Sequence, residues 1–390
     1  MIKKMIFLTI SPFNKRDFKR FGIELLMKNG FEVEVWDLTN ILFPEVAKNY
    51  ILPDPIRWSG CKVFPNKIYA LNSLASLDCH TFIIPFFHYN KDFYHIYKAI
   101  SISEAKYASF VAGAIPPAEN KRKLGKILHN FKKLGKKPFK KITNYVFRKI
   151  PFHWLGIKPA SLILAGGEKS IIAYDDPYDS STEVLWVHTF DYDLYLKEKN
   201  ILSTDSSIAV FLDEYLPFHP DFIYMNVRPP ISYIKYYPLL NKFFSLVERK
   251  LGFKVVIAAH PRSYYENHPD YFGGRKWIRG QTIKLVKESK LVLAHNSTAL
   301  NFANLFYKPV IFLTCSELDK SFQGPFIRAM AKWFGKKPIF MDMYNDIDWD
   351  FELTVSKSHY DNYREAYIKT ARSKDLPFWQ IVANRLKKGF

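Results

Sequence analysis

The sequence predicts an α/β protein built from two Rossmann-like, doubly wound domains facing a cleft. Three observations carry that prediction. A β-α-β pattern opens the chain, and a second alternation of short apolar runs with amphipathic stretches begins near residue 205. The length, 390 residues, corresponds to two or three domains at roughly 150 residues each. A hydrophobic content of 48% is enough for a full core in each half, which excludes global disorder.

In the first block, Ile6 to Ile10 reads as a buried strand and Phe18 to Asn29 as a helix closed by Gly30. Val33 to Trp36 follows as the second strand. Further strands are expected at Thr81 to Phe87, Phe110 to Ile115 and Ser161 to Ala165. In the second block, strands are expected at Ile208 to Leu212, Val255 to Ala259, Leu291 to Ala294, Val310 to Leu313 and Pro338 to Met341. Helices are expected at Tyr233 to Lys250, Thr282 to Ser289 and Ser297 to Phe306, with a last one from about His359. The expected division is therefore 1–175 for the first domain, 176–205 for the connection and 206–358 for the second domain. Residues 359–390 would form a helix packing back on the first domain.

The three cysteines, Cys61, Cys79 and Cys315, have neither disulfide-framework nor zinc spacing, so no metal or other cofactor is expected. Neither a secretory signal nor a run of about 18 apolar residues is visible, and the expected location is cytoplasmic or peripheral to the membrane. The formal charge of +20 is concentrated: residues 117–150 hold twelve Lys or Arg against one acid. Leu124, Ile127, Leu128, Phe131 and Leu134 fall on one helical stripe within it. A basic helix with an apolar stripe suits an anionic membrane surface, with Lys132, Lys133, Lys136 and Lys137 as contacts. A solvated basic face is the plainer alternative. Nucleic acid is not expected as a partner, because no recognition motif accompanies the charge.

The candidate chemistry lies at strand ends, where parallel sheets open their ligand crevice. His260, Pro261 and Arg262 follow the strand ending at Ala259. Asn296, Ser297 and Thr298 follow the strand ending at Ala294, where a helix start could either be capped by the hydroxyls or hold a phosphate. Asp213 and Glu214 follow Leu212, and Glu168 follows Gly166-Gly167; these carboxylates are the candidate bases or nucleophiles. Neither a Gly-x-Gly-x-x-Gly nor a Gly-Lys-Ser/Thr loop occurs, which argues against ordinary dinucleotide and NTPase sites.

The block from Ala259-His260-Pro261-Arg262 through Leu291–Leu300 to Lys308-Pro309-Val310-Ile311 resembles the nucleotide-binding domain of bacterial GT-B glycosyltransferases of surface polysaccharide synthesis. The likeness is nearest to sialyltransferase-like and Kdo-transferase-like enzymes, which use CMP-activated nonulosonic acids. It implies that His260 and Pro261 meet the cytidine phosphate, with Ser297 and Thr298 at its other side. It further implies a nucleotide-sugar donor and a lipid-linked or surface glycan acceptor at the inner face of the cytoplasmic membrane, as in capsule or lipopolysaccharide synthesis. The acidic pair followed by glycine that such sialyltransferases carry does not occur; Gly166-Gly167-Glu168 is its nearest analogue. Other readings are a CDP-polyol phosphotransferase, a UDP-sugar GT-B transferase and a non-enzymatic, membrane-binding scaffold.

Overall fold

The computed structural model describes residues 1–49, 54–118, 147, 149–202, 206–222, 227–343 and 346–390. Two parallel sheets organise them. The first contains β1 (Lys4–Thr9), β2 (Glu32–Asp37), β3 (Cys61–Val63), β4 (Thr81–Pro85), β5 (Lys106–Phe110), β6 (Leu162–Ala165) and β7 (Glu183–Trp186). Its order is β3-β2-β1-β4-β5-β6-β7. The second contains β8 (Ile208–Leu212), β9 (Lys254–Ala259), β10 (Trp277–Arg279), β11 (Leu291–Ala294), β12 (Val310–Thr314) and β13 (Ile339–Phe340), in the order β10-β9-β8-β11-β12-β13. Both orders reverse beside their first strand, between β1 and β4 and between β8 and β11. A ligand crevice opens at such a reversal, outside the carboxyl ends of the strands.

The central strands are apolar on both faces because helices cover both. Phe7, Val35 and Ile84 point into one core of the first domain, whereas Ile6, Leu8 and Ile83 point into the other. The second domain repeats this, with Phe211, Ile257 and Leu293 on one side and Val210, Ala258 and Val292 on the other.

Several elements differ from expectation for identifiable reasons. The helix expected at Phe18 to Asn29 is two, Lys15–Arg20 and Ile23–Lys28. Gly22 separates them with a left-handed φ of 56°, and a Cβ there would lie 2.3 Å from the Trp379 ring. The strand expected at Phe110 to Ile115 ends where it was meant to begin. Beyond Phe110 the chain turns, with the Ala114 amide donating to the Val111 carbonyl. β7 pairs with β6, so the first sheet runs past residue 175, and the connection starts near Val187 rather than at 176.

The terminal region also divides. The helix Lys357–Tyr363 and the π-helical turn Arg364–Ile368 pack on the second domain, with Tyr360, Tyr363 and Tyr367 in its core. The helix Phe378–Leu386 returns to the first domain, where Trp379 meets Phe7 edge-on and donates to the Arg20 carbonyl. The chain thus passes between the domains twice, and the two passages touch through an antiparallel bridge of His188 and Lys369. Among the described residues no helix is long and apolar enough to cross a membrane. The basic stretch, including Lys132, Lys133, Lys136 and Lys137, lies outside the described residues apart from a few positions at its two ends.

Candidate functional site

The loop after β8 ties the second crevice together. Asp213 is buried, and its two oxygens accept from three donors: the Tyr215 amide at 2.9 Å, the His260 amide at 3.0 Å and the Tyr265 hydroxyl at 2.9 Å. Burial raises its carboxyl, while those three bonds oppose the shift. So satisfied, Asp213 is an anchor that joins the ends of β8 and β9, not the exposed base expected of it. It also holds Tyr215 at φ 52°, a conformation that a bulky residue adopts only when the surroundings impose it.

Glu214 turns to the opposite neighbour. Its Oε1 accepts from the Asn296 amide at 2.8 Å. Burial pushes this carboxyl up to about 8, with the Asp213 charge adding and the amides of Asn296, His295 and Ser297 opposing. The carboxyl of Glu214 therefore sits against the loop amides that were expected to hold a phosphate. The folded-state value lies above the ordinary 4.5, so this group favours folding at low pH. That contribution is lost as pH rises from about 4.5 through about 8. Glu214→Gln is expected to flatten the decline in thermal stability between pH 5 and 8. A decline as steep as in the unmodified protein would contradict this burial.

The expected helix start at Ser297 is also displaced. The helix is Leu300–Leu305, and Ser297 to Ala299 form a turn in which the Ser297 hydroxyl accepts from the Ala299 amide at 3.3 Å. This is the capping use of the hydroxyl. Thr298 is exposed, and the buried Asn296 Oδ1 has no hydrogen-bond partner among the described residues.

His260 follows β9 directly, at the carboxyl end of the sheet. Its Nδ1 accepts from the Arg262 amide at 3.2 Å, so the proton sits on Nε2. Burial pushes the ring down to about 2, and the neighbouring His219, Arg262 and Arg16 push in the same direction. The ring is a neutral hydrogen-bond donor throughout the physiological range. Beside it, His219 packs at 4.7 Å between ring centroids, and Arg262 pairs with Asp221 at 2.9 Å.

Arg16 belongs to the other domain, and this is the first sign that the two crevices face each other. The helix Lys15–Arg20, capped by Asn14, follows β1 and places Arg16, Asp17 and Arg20 at the first crevice. The Asp17 carboxyl is raised by burial and lowered by Arg20, Arg16 and the distant Arg262. Arg20 is brought down to about 10, by burial first and by Arg16, with Asp17 and Asp191 opposing. Its guanidinium lies 4.8 Å from the centre of the Phe190 ring and 5.9 Å from that of Phe86. Asp191 accepts from Asn301 of the second domain at 2.8 Å. Sequence reasoning missed these residues because they read as the polar face of an ordinary helix.

It also missed a histidine–carboxylate pair. Two residues beyond Phe86, in the loop after β4, His88 donates from Nδ1 to Asp176 at 2.8 Å. Asp176 is buried and also accepts from the Tyr89 amide at 2.8 Å and from the Ser109 hydroxyl. Tyr174 stacks on the imidazole at 3.4 Å between centroids, yet a third of the His88 side chain stays exposed. An imidazole held by a buried carboxylate through Nδ1 has its Nε2 left to take a proton. Glu168, expected as the base of this domain, is instead an exposed residue 3.7 Å from Arg372.

No family model matches the chain, and no curated protein matches it. Solved structures share its fold. The wall teichoic acid polymerase TagF has a TM-score of 0.53 at 10% identity, over 99% of this chain and 89% of that one. MnaA of S. aureus, in a co-structure with UDP, has a TM-score of 0.49 at 14% identity, over 98% of this chain and 95% of that one. The UDP-GlcNAc 2-epimerase of Methanocaldococcus jannaschii has 0.46 at 12%, over all of both chains. The fold is GT-B-like, two Rossmann-like domains facing a cleft. At such identities the likeness establishes the fold alone. None of these three is a sialyl- or Kdo-transferase, so the finer resemblance read around His260 finds no support in them.

Proposed function

We propose that the protein is a transferase of bacterial surface-polymer synthesis that takes its donor as a CDP-linked polyol. This replaces the CMP-linked acidic sugar expected from the sequence. The observation that carries the reading is the meeting of His260 and Arg262 with Arg16 and Arg20 across the cleft, close enough for their charges to act on shared neighbours. Two arginines from one side of a crevice and one from the other, with a neutral donor between them, suit a diphosphate better than a single phosphate. The GT-B fold is consistent with this, and a TagF structure was obtained after a soak with CDPG.

In this reading His88 is the general base. Its Nε2 takes the proton of the acceptor hydroxyl, whose oxygen bonds to the polyol-bearing phosphorus. The bond from that phosphorus to the bridging oxygen breaks, and CMP leaves with the electron pair. The arginines and the His260 Nε2–H stabilise charge on the phosphoryl oxygens, the main contribution such a site makes to phosphoryl transfer. Asp213 acts one step back, by holding the His260 amide.

Calorimetry tests the donor site. CDP is expected to bind more tightly than CMP, with added metal unnecessary. His260→Ala should weaken CDP binding by ~1–3 kcal/mol, the usual loss for a hydrogen bond to a charged group. Unchanged affinity in that variant would remove His260 from the site. Tighter binding of CMP than of CDP would favour the acidic-sugar donor again, and absence of nucleotide affinity would favour a scaffold.

A further inference from the structure

The loops after β8 and β9 bring a group of aromatic rings together at the carboxyl end of the second sheet. Tyr271 stacks on Tyr237 at 4.2 Å between centroids, with 13° between the planes, and on His268 at 4.6 Å and 7°. The rings form a column that runs from buried Tyr237 outward to exposed His268. Phe218 lies alongside, its plane 12° from that of Tyr271 and 9° from that of His268. Tyr233, in the first turn of the helix Tyr233–Leu251, adds another ring 5.6 Å from Phe218. Phe218 is 36% exposed and Tyr233 44%, so the group meets solvent although Tyr237 belongs to the core. Parallel, offset rings are an arrangement that aromatic faces prefer, and a further planar ring extends it.

This group adjoins the donor site. Phe218 directly precedes His219, whose ring packs on His260 at 4.7 Å. Tyr215 packs on Phe218 at 5.4 Å, and its amide donates to Asp213, the carboxylate that also accepts from the His260 amide. One buried anchor thus holds both the loop that carries Phe218 and the loop that carries His260.

We propose that these rings are the platform on which the donor's nucleobase stacks, with Phe218 and His268 as the rings that touch it. The inference deepens the proposed function and rests on it for the identity of the ligand. A base is planar, and every base has a π-face that aromatic side chains can hold. In a nucleoside diphosphate only a ribose separates the base from the phosphates, so the base falls beside the phosphates that His260 would meet. A hydrocarbon chain gains from apolar area of any shape and has no use for parallel rings. It would also take the polar edge of His268 out of water.

The probes are CDP and inorganic pyrophosphate, titrated into the full chain by calorimetry. The unmodified protein is expected to bind CDP roughly tenfold or more tightly than pyrophosphate, the contribution of one stacked base. Phe218→Leu, at a partly exposed position, keeps the apolar volume and removes the ring face. It should weaken CDP by roughly tenfold and leave pyrophosphate unchanged. Phe218→Tyr restores the face and should bind CDP as the unmodified protein does, whereas His268→Ala should act as Phe218→Leu does. CDP affinity unchanged in both Phe218→Leu and His268→Ala would overturn the platform. Equal losses for CDP and pyrophosphate would overturn it too, because they mark a disturbed loop rather than a lost stacking face. If the unmodified protein binds CDP no more tightly than pyrophosphate, the base site falls and the phosphate site stands. Binding of neither ligand would remove the proposed donor site itself, and the platform with it.

Discussion

Replacing His88 with alanine is expected to lower kcat by ~10²–10⁴-fold, the usual worth of a general base, while CDP affinity stays unchanged. The argument is geometric. His88 is attached through Nδ1 to a buried carboxylate that two further donors hold in place, and a third of its side chain remains exposed at the carboxyl ends of the strands. Asp176→Asn should also lower kcat, because an amide in that place no longer selects the tautomer with a free Nε2 lone pair. A purely structural role would lower thermal stability but leave turnover of the folded protein nearly unchanged. Turnover by His88→Ala within tenfold of the unmodified enzyme would take His88 out of the chemistry.

The second large effect concerns Asp213. Asp213→Ala leaves two backbone amides and the Tyr265 hydroxyl without their acceptor at a buried position. An unsatisfied buried group costs ~1–3 kcal/mol, so a loss of about 3 kcal/mol or more is expected. Nucleotide affinity should fall as well, since the His260 amide is no longer tied to β8. Because that effect passes through His260, it should shrink in a His260→Ala background, which a double-mutant cycle measures. Full additivity of the two substitutions on CDP affinity would show that Asp213 does not act by placing His260.

Much of the fold was legible because central strands of a parallel sheet are buried on both faces. Ile208–Leu212 and Leu291–Ala294 were placed to the residue by their apolar runs alone. Three of the four edge strands were missed: Cys61–Val63, Glu183–Trp186 and Trp277–Arg279 are short and partly exposed, so they leave no such run. The break at Gly22 was missed for another reason, since the residue that requires it, Trp379, lies far away in sequence.

The site shows the same division. His260 and Arg262 could be found because they directly follow a legible strand. The meaning of Asp213 and Glu214 could not, because burial and donors from β9 and β11 make one an anchor and the other a carboxyl held against the loop amides. His88 gave no local signal at all. Only its contact with Asp176, brought in from beyond β6, sets it apart from any other loop histidine.

The central claim is that the cleft transfers a polyol phosphate from a nucleoside-diphosphate donor to an acceptor hydroxyl. The most direct test is to incubate the unmodified protein with CDP-glycerol and an acceptor, and to identify the released nucleotide and the new phosphorus linkage by ³¹P NMR. The account predicts CMP together with a phosphodiester on the acceptor, and neither with His88→Ala. Turnover of a UDP-sugar with release of UDP, while CDP-glycerol remains intact, would contradict it.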